Sequence, residues 1–418
     1  MSWATFSSKE KIFAGERKNT VNPCVSVEQN MVEQTEHKEL VPRLRFRGFT
    51  EPWRQRKLGD VCEYFKSGSF ISASKIIRES LYPVFGGNGL RGYTDDFNHE
   101  GFYALIGRQG AQCGNITFST GKAYFTEHAI AVKSFSDKET LFLGYLLLRL
   151  KLGRLSDQSA QPGLAVNKLR ELTINLPIKS EQESIGLFLE RLDDLIAAYE
   201  QEYELLQSKK NYYLQKVLSN YLSFESDPDR WQERKFNEIF QAVSVKGFPD
   251  LPVLSASQDL GMVYRDQLDT DIKFNKHSLA GYKRVSAGDF VISLRSFQGG
   301  FEYSTITGIC SPAYTVFRFI KPNEHDPLFW KVVFKSPHFI ELLKTVTFGI
   351  RDGKAISFSD VGTLRLQVPS FDEQKQIGVF FETLNNLLCA VQNKIELLQK
   401  KKKILSSEYV YLNNHIWR

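Results

Sequence analysis

A stretch of 34 residues occurs twice in this chain, and any fold must accommodate both copies. Residues 177–210 read PIKSEQESIGLFLERLDDLIAAYEQEYELLQSKK, and residues 369–402 read PSFDEQKQIGVFFETLNNLLCAVQNKIELLQKKK, with no gap between them when aligned. Gln182 matches Gln374, Ile185 matches Ile377, Gly186 matches Gly378 and Leu192 matches Leu384. A repeat of this length marks a duplicated structural unit. In the first copy apolar residues fall at Ile185, Leu189, Leu192, Ile196, Tyr199, Tyr203 and Leu206. In the second they fall at Ile377, Phe381, Leu384, Leu388, Val391, Ile395 and Leu398. That 3–4 spacing is the seam of a coiled coil. Each copy follows a proline and opens with acidic residues, as a helix start does. The stripe is too narrow for a helix buried all round, so each copy needs a partner stripe. The other copy is the obvious one.

Charge gives the direction of pairing. The first copy is acidic early (Glu181, Glu183, Glu190, Asp193, Asp194) and basic late (Lys209, Lys210, Lys216); the second ends in a lysine run, Lys400 to Lys403. Parallel pairing would stack lysine on lysine. Antiparallel pairing sets late lysines against early acids and is the expected arrangement.

At 418 residues the chain exceeds one ordinary domain. It has no run of about 18 apolar residues, so no simple transmembrane helix is expected. Its first residues, MSWATFSSKEKIFAGERK, lack the apolar core of a secretory signal. The five cysteines (Cys24, Cys62, Cys113, Cys310, Cys389) are far apart and form no CxxC pair. Reduced thiols in a cytoplasm are therefore expected rather than disulfides or zinc. A formal net charge of +6 leans weakly towards nucleic acid.

A second, shorter echo precedes each helix copy: WRQRKLGDVCEYF from Trp53 and WQERKFNEIFQAV from Trp231. The chain is therefore two cassettes, each a globular segment followed by a long helix. The expected division is a disordered leader at 1–41, globular segments at 42–178 and 223–369, spacer helices at 179–222 and 370–412, and a tail at 413–418. Within the segments, short strands punctuated by glycine precede apolar helical stretches such as LFLGYLLLRLKLG and DPLFWKVVFKSPHFIELLK. The expected fold class is α+β: two globular units separated by two long helices that form an antiparallel coiled coil, with a pseudo-two-fold internal repeat.

No complete catalytic constellation is present in the sequence. Gly87, Gly89 and Gly92 in GGNGLRG satisfy a dinucleotide fingerprint formally, but turn-like YTDDFNHEGF follows where a helix should open. GNITFSTGK fails as a P-loop because its glycines are too widely spaced and Ala123 replaces the required hydroxyl residue. A methyltransferase [DN]PP[YF] motif and a convincing nuclease carboxylate cluster are both missing. DPDR, from Asp227, reads as a linker or helix cap. His128, beside Glu127, reads as a strand residue in a structural hydrogen bond rather than as a base.

Polar side chains flanked by glycine are the stronger signal. Asn88 and Arg91, Arg108 and Gln109, Arg295 and Gln298, and Arg351 and Lys354 combine base-reading side chains with backbone that permits close approach. Arginine can grip guanine O6 and N7, and asparagine or glutamine can grip adenine N6 and N7. Lys122, Lys246, Lys283 and Arg284 suit phosphates. Taken singly, each of these residue types is more often a solvated turn residue.

Over residues 42–410 the chain resembles the specificity (S) subunit of a Type I restriction–modification system. The likeness rests on RLRFRGFTEPWRQRKLGDV, YPVFGGNGLRGY and LIGRQGAQCGN in the first segment, and on LSASQDLGMV, GDFVISLRSFQGG and SPAYTVFRF in the second. It rests also on LPIKSEQESIGLFLERLDDLI and VPSFDEQKQIGVFFETLNNLL, which close the two segments. The resemblance implies two target-recognition domains, each reading half of a split site in double-stranded DNA. It implies a non-catalytic subunit whose helices are both spacer and docking surface for two modification subunits. Those partners would use S-adenosylmethionine to methylate adenine, and restriction subunits would use ATP and Mg. The 40-residue leader and the tail YVYLNNHIWR depart from the family pattern. The rival readings are a coiled-coil adaptor without a DNA role and a self-contained methyltransferase or nuclease.

Overall fold

The duplication is visible first in how each globular unit is closed. The structure, a computed structural model, describes residues 42, 45–110, 112–156, 163–218, 231–258, 260–267, 276–293, 300–346 and 356–410. In the first unit β1 (Arg54–Lys57) pairs antiparallel with the last strand, β10 (Thr173–Leu176), placing Arg54 opposite Leu176. In the second unit β11 (Gln232–Lys235) pairs in the same register with β20 (Arg365–Val368), placing Gln232 opposite Val368. Entry and exit strands thus lie side by side. Each exit strand passes through a proline, Pro177 or Pro369, into a long helix.

Between these strands the first unit holds β2 (Tyr64–Ser67), β3 (Tyr82–Gly86), β4 (Gly89–Thr94), β5 (His99–Glu100), β6 (Tyr103–Gly107), β7 (Ile116–Ser119), β8 (Lys122–Phe125) and β9 (Ala129–Lys133). They form two four-stranded sheets, β2–β9–β6–β7 and β4–β3–β8–β5. The central strands YALIG and AIAVK are nearly continuous apolar runs because both of their faces are covered. Helix α1 (Asp137–Leu150), capped by Ser136, covers the first sheet, and the short α2 (Val166–Arg170) leads to the exit strand. His99 lies between the sheets, its Nδ1 2.7 Å from Asn98 Oδ1 and its Nε2 3.0 Å from the Tyr64 hydroxyl. Asn98 Oδ1 also accepts from the Phe125 amide, so Nδ1 carries the proton. Burial holds the ring's pKa below the ordinary range, and the residue is structural.

The second unit holds α4 (Phe236–Ile239), β12 (Phe240–Val243), β13 (Leu254–Ser257), β14 (Gly261–Tyr264), β15 (Lys283–Val285), β16 (Phe290–Ile292), β17 (Phe301–Tyr303), β18 (Gly308–Cys310) and β19 (Thr315–Phe319). Its main sheet, β12–β19–β16–β17, repeats the order of the first unit's main sheet. The apolar stretch that follows is two helices, α5 (Pro327–Phe334) and α6 (Pro337–Thr345), capped by Asp326 and Ser336. Pro337 opens α6 because its missing amide costs nothing at a first helical position. A short α7 (Phe358–Gly362) precedes the exit strand. Phe240, Phe290, Phe301, Phe317, Phe334 and Trp330 are fully buried and form an aromatic core.

The two repeat helices are α3 (Lys179–Leu218) and α8 (Phe371–Val410), each 40 residues and so about 60 Å long. They run antiparallel. Lys402 pairs with Asp193, Gln399 Nε2 donates to Glu200, and Tyr213 meets the ring of Phe380 edge-on at 5.4 Å. Tyr145 of α1 donates to Asp193 at 2.9 Å. Burial first, and that carboxylate next, push its hydroxyl far above its usual range, so it remains a donor. Each helix tail is built into the other cassette: Leu405 packs against the first core, and Val217 belongs to the second. The fold is α+β with two similar units at opposite ends of an antiparallel rod.

The matched residues of the repeat now have physical roles. Gln182 Nε2 donates to the Pro177 carbonyl at 2.9 Å, and Gln374 Nε2 donates to the Pro369 carbonyl at 3.0 Å, each tying the exit strand to its helix start. Trp53 meets Phe142 edge-on at 6.4 Å, and Trp231 meets Phe329 at 6.2 Å. Gly186 faces the backbone of Phe142, and Gly378 faces Leu328 and Phe329. A glycine in mid-helix costs about 1 kcal/mol relative to alanine. It is kept where the helix of each unit crosses its rod helix closely.

Candidate nucleic-acid interface

Three turns of the first unit meet around a cleft of about 410 Å³ lined by Gly87, Asn88, Arg91, Gln109, Gly110 and His128. GGNGLRG supplies the first turn. It is a β-hairpin, with Gly87 and Asn88 joining β3 to β4, so no helix N-terminus stands there to receive a pyrophosphate. Gly89 has φ +86°, which glycine adopts without strain. A Cβ on Gly86 would lie 2.5 Å from Arg91 Cδ, so the arginine stem passes directly over that glycine.

The loop after β6 supplies Gln109 and Gly110. A Cβ on Gly87 would lie 2.8 Å from the Gln109 carbonyl oxygen, and one on Gly107 would lie 2.3 Å from the Gly87 carbonyl oxygen. These glycines let two turns pack backbone to backbone. The Arg108 amide donates to the His128 carbonyl at 2.8 Å, and the Leu164 amide donates to the Arg108 carbonyl at 2.9 Å. The backbone is pinned while Asn88, Arg91 and Gln109 stay exposed. Arg108 itself is half-buried, its guanidinium 3.4 Å from Ser67 Oγ.

His128 lies in the turn between β8 and β9, not in a strand as its apolar neighbours suggest. Its Nε2 is 3.3 Å from Glu127 Oε1, and it lines the cleft, a role that sequence reasoning missed. The alternation around it belongs to the two strands it joins. Lys122 stands apart from the cleft, with Nζ 4.5 Å from the centre of the Phe97 ring.

In the second unit, Lys283 and Arg284 begin β15. Lys283 Nζ donates to the Tyr314 carbonyl at 2.5 Å, and the Arg284 guanidinium lies 5.0 Å from the Phe248 ring centre. Both are anchored to their own unit. Lys246 is exposed in the loop before β13. Arg295, Gln298, Arg351 and Lys354 lie outside the described residues, as do the leader and DPDR.

Asparagine and arginine on the first of these turns and glutamine on the second can present donors and acceptors to a base edge. Among the described residues no group of three or more His, Cys, Asp or Glu side chains could hold a metal ion. Their four cysteines are free thiols, and burial pushes Cys62 and Cys310 up to about 12. No helix among the described residues is long and apolar enough to cross a membrane.

The class follows from comparison of this architecture with known proteins. Its fold is similar to the crystal structure of a Type I restriction–modification system S subunit from M. genitalium, with a TM-score of 0.64 at 17% identity, over 88% of this chain and 98% of that one. Residues 50–208 match the family described as the Type I restriction modification DNA specificity domain. The specificity subunit of the Type I restriction enzyme EcoprrI from Escherichia coli is 39% identical over 146 residues, which are 34% of this chain and 36% of that subunit. The match therefore spans about a third of that relative's length. A putative Type I specificity subunit, MjaX of Methanocaldococcus jannaschii, is 22% identical over 85% of this chain and 92% of its own. Residues 50–208 thus match the DNA specificity domain family, and the fold of the chain as a whole is similar to that of a Type I S subunit.

Proposed function

We propose that this chain is the DNA sequence-recognition subunit of a Type I restriction–modification complex and binds a bipartite site in duplex DNA. The observation that carries the reading is the pairing of one closing frame with two different interiors at opposite ends of a rigid rod. A rod of about 60 Å exceeds the 34–36 Å advance of one B-DNA turn, so two readers can sit one turn or somewhat more apart on one duplex. The first cleft would read one half-site through Asn88, Arg91 and Gln109, with His128 beside them.

Catalysis would belong to partners. Two modification subunits would use S-adenosylmethionine to methylate adenine, and restriction subunits would use ATP and Mg to cleave, all in the cytoplasm. Repeated exposed apolar residues on the rod support docking in duplicate. Leu205 and Leu397 are 55% and 46% exposed, and Tyr212 and Ile404 are 54% and 47% exposed. Each pair occupies matching positions of the two repeats. An exposed apolar residue that recurs at the same place on both helices suits two copies of one partner.

Methylome sequencing of cells with and without the chain tests the function. The expected result is one split adenine-methylated motif that vanishes with the chain. Replacing Gln109 by Ala should then relax one position of one half by about 1–3 kcal/mol. A motif that persists without the chain would refute the reading.

A further inference from the structure

A second cleft, of about 390 Å³, lies where the first unit meets the rod. Arg149 and Lys151 line it from the end of α1, and Lys402 and Lys403 line it from the tail of α8. Its one acid, Asp193, already pairs with Lys402 and accepts from Tyr145, so the surplus charge is positive.

Three observations mark this cleft as more than a solvated surface. Lys151 caps α1 in the left-handed region at φ 50°, the only residue other than glycine with positive φ among those described. Glycine is the usual choice at such a cap, so a lysine there carries a backbone cost. The charge also exceeds what the repeat supplies: at the other end of the rod Lys210 stands where Lys402 does, but Asn211 stands where Lys403 does.

The third observation is continuity with the reading cleft. The loop bearing Gln109 and Gly110 continues to Cys113 and Gly114, which pack against Gly153 just after Lys151. A Cβ on Gly114 would lie 2.1 Å from the Gly153 nitrogen, so loop and turn touch backbone to backbone. The far end of that loop therefore lies against the turn that follows Lys151.

We propose that this basic cleft grips backbone phosphates of the same duplex, on the side of the first half-site that faces the second reader. It would fix the orientation of the DNA along the rod without reading sequence, as phosphate contacts do. The proposal rests on the DNA-recognition reading above. Lys402 also holds the rod together, so the test uses Lys151 and Lys403.

The full chain carrying Lys151→Gly and Lys403→Gln is compared with wild type in duplex binding across 50–300 mM salt, with Lys57→Gln as a control for charge removed elsewhere. Removing one lysine–phosphate pairing should make the log K against log salt slope less steep by about one, so the double variant should fall short of wild type by about two. Base preference should be unchanged. Lys151→Gly relieves a strained cap, so the variant should fold at least as well as wild type, and weaker binding could not be blamed on unfolding. A slope equal to that of Lys57→Gln would overturn the proposal. Unchanged DNA binding with weakened assembly onto partner subunits would overturn it in favour of an acidic protein surface. If wild type itself shows no salt-dependent duplex affinity, the DNA reading fails, whatever the variants do.

Discussion

The two junctions between globular unit and rod are built on one plan, yet their tryptophans meet the buried carboxylate differently. At the first, Glu181 accepts from Arg45 Nε at 2.9 Å and Nη2 at 2.6 Å, with both side chains largely out of solvent. Trp53 Nε1 has no hydrogen-bond partner among the described residues. At the second, the matching Glu373 accepts from Trp231 Nε1 at 3.1 Å. One junction is a charged clamp reaching back to the segment before β1. The other includes a bond from the tryptophan of its own frame. The duplicated residues fix where the carboxylate sits, but the frame's own indole donates to it at the second junction and not at the first.

The largest effect should come from breaking the clamp. Arg45→Ala would leave Glu181 buried without its cation and should destabilise the first unit by about 3 kcal/mol. Trp231→Phe removes the indole donor to Glu373 and should cost the second unit only about 1 kcal/mol. Urea unfolding followed separately for each unit measures both, and equal destabilisation of the two would erase the distinction.

Next comes the crossing of rod and unit. A Cβ on Gly378 would lie 2.7 Å from Asp326 Oδ1 and 2.8 Å from the Phe329 nitrogen, whereas one on Gly186 would meet nothing nearer than 3.1 Å. Gly378→Ala should therefore destabilise by about 1–3 kcal/mol through overpacking. Gly186→Ala should be near neutral, because the gain in helix propensity of about 1 kcal/mol offsets a mild crowding. Thermal melts of the two variants give the comparison directly. A neutral Gly378→Ala would mean that the second crossing has slack.

The smallest effect is expected where the junctions are most alike. Lys57 pairs with Glu171 at 2.6 Å across the first closing ladder, and Arg365 pairs with Glu233 at 2.5 Å across the second. Both pairs are exposed. Lys57→Ala and Arg365→Ala should leave the unfolding midpoints within experimental scatter, since surface ion pairs add little. A clear drop in one of them would mark that ladder as a weak point.

The rod was legible in the sequence because its seam repeats over 40 residues and its charges change sign along each copy. The observed Lys402–Asp193 pair is one such contact. The α+β class was legible as well, from short glycine-bounded strands. The Arg45–Glu181 clamp was not, because its members are 136 residues apart and no local pattern joins them. The first cleft was half-legible: Asn88, Arg91 and Gln109 come together there, while Lys122 turns to Phe97. His128 escaped because a turn residue between two apolar strands has the same neighbours as a strand residue. Its place emerges only when β8 and β9 are seen to end on either side of it.

The antiparallel rod also sets a timetable for synthesis. The helix 179–218 leaves the ribosome with its seam bare, since the complementary stripe is encoded at the far end of the chain. Roughly 190 further residues must be translated before that stripe emerges, which takes about 10–40 s at ordinary elongation rates. During that interval the nascent first cassette displays a sticky helix with no intramolecular mate, and a neighbouring chain on the same message carries the same one. Fidelity of assembly is thus a race between elongation and encounter, and slow codons in the second cassette would tilt it towards entangled pairs.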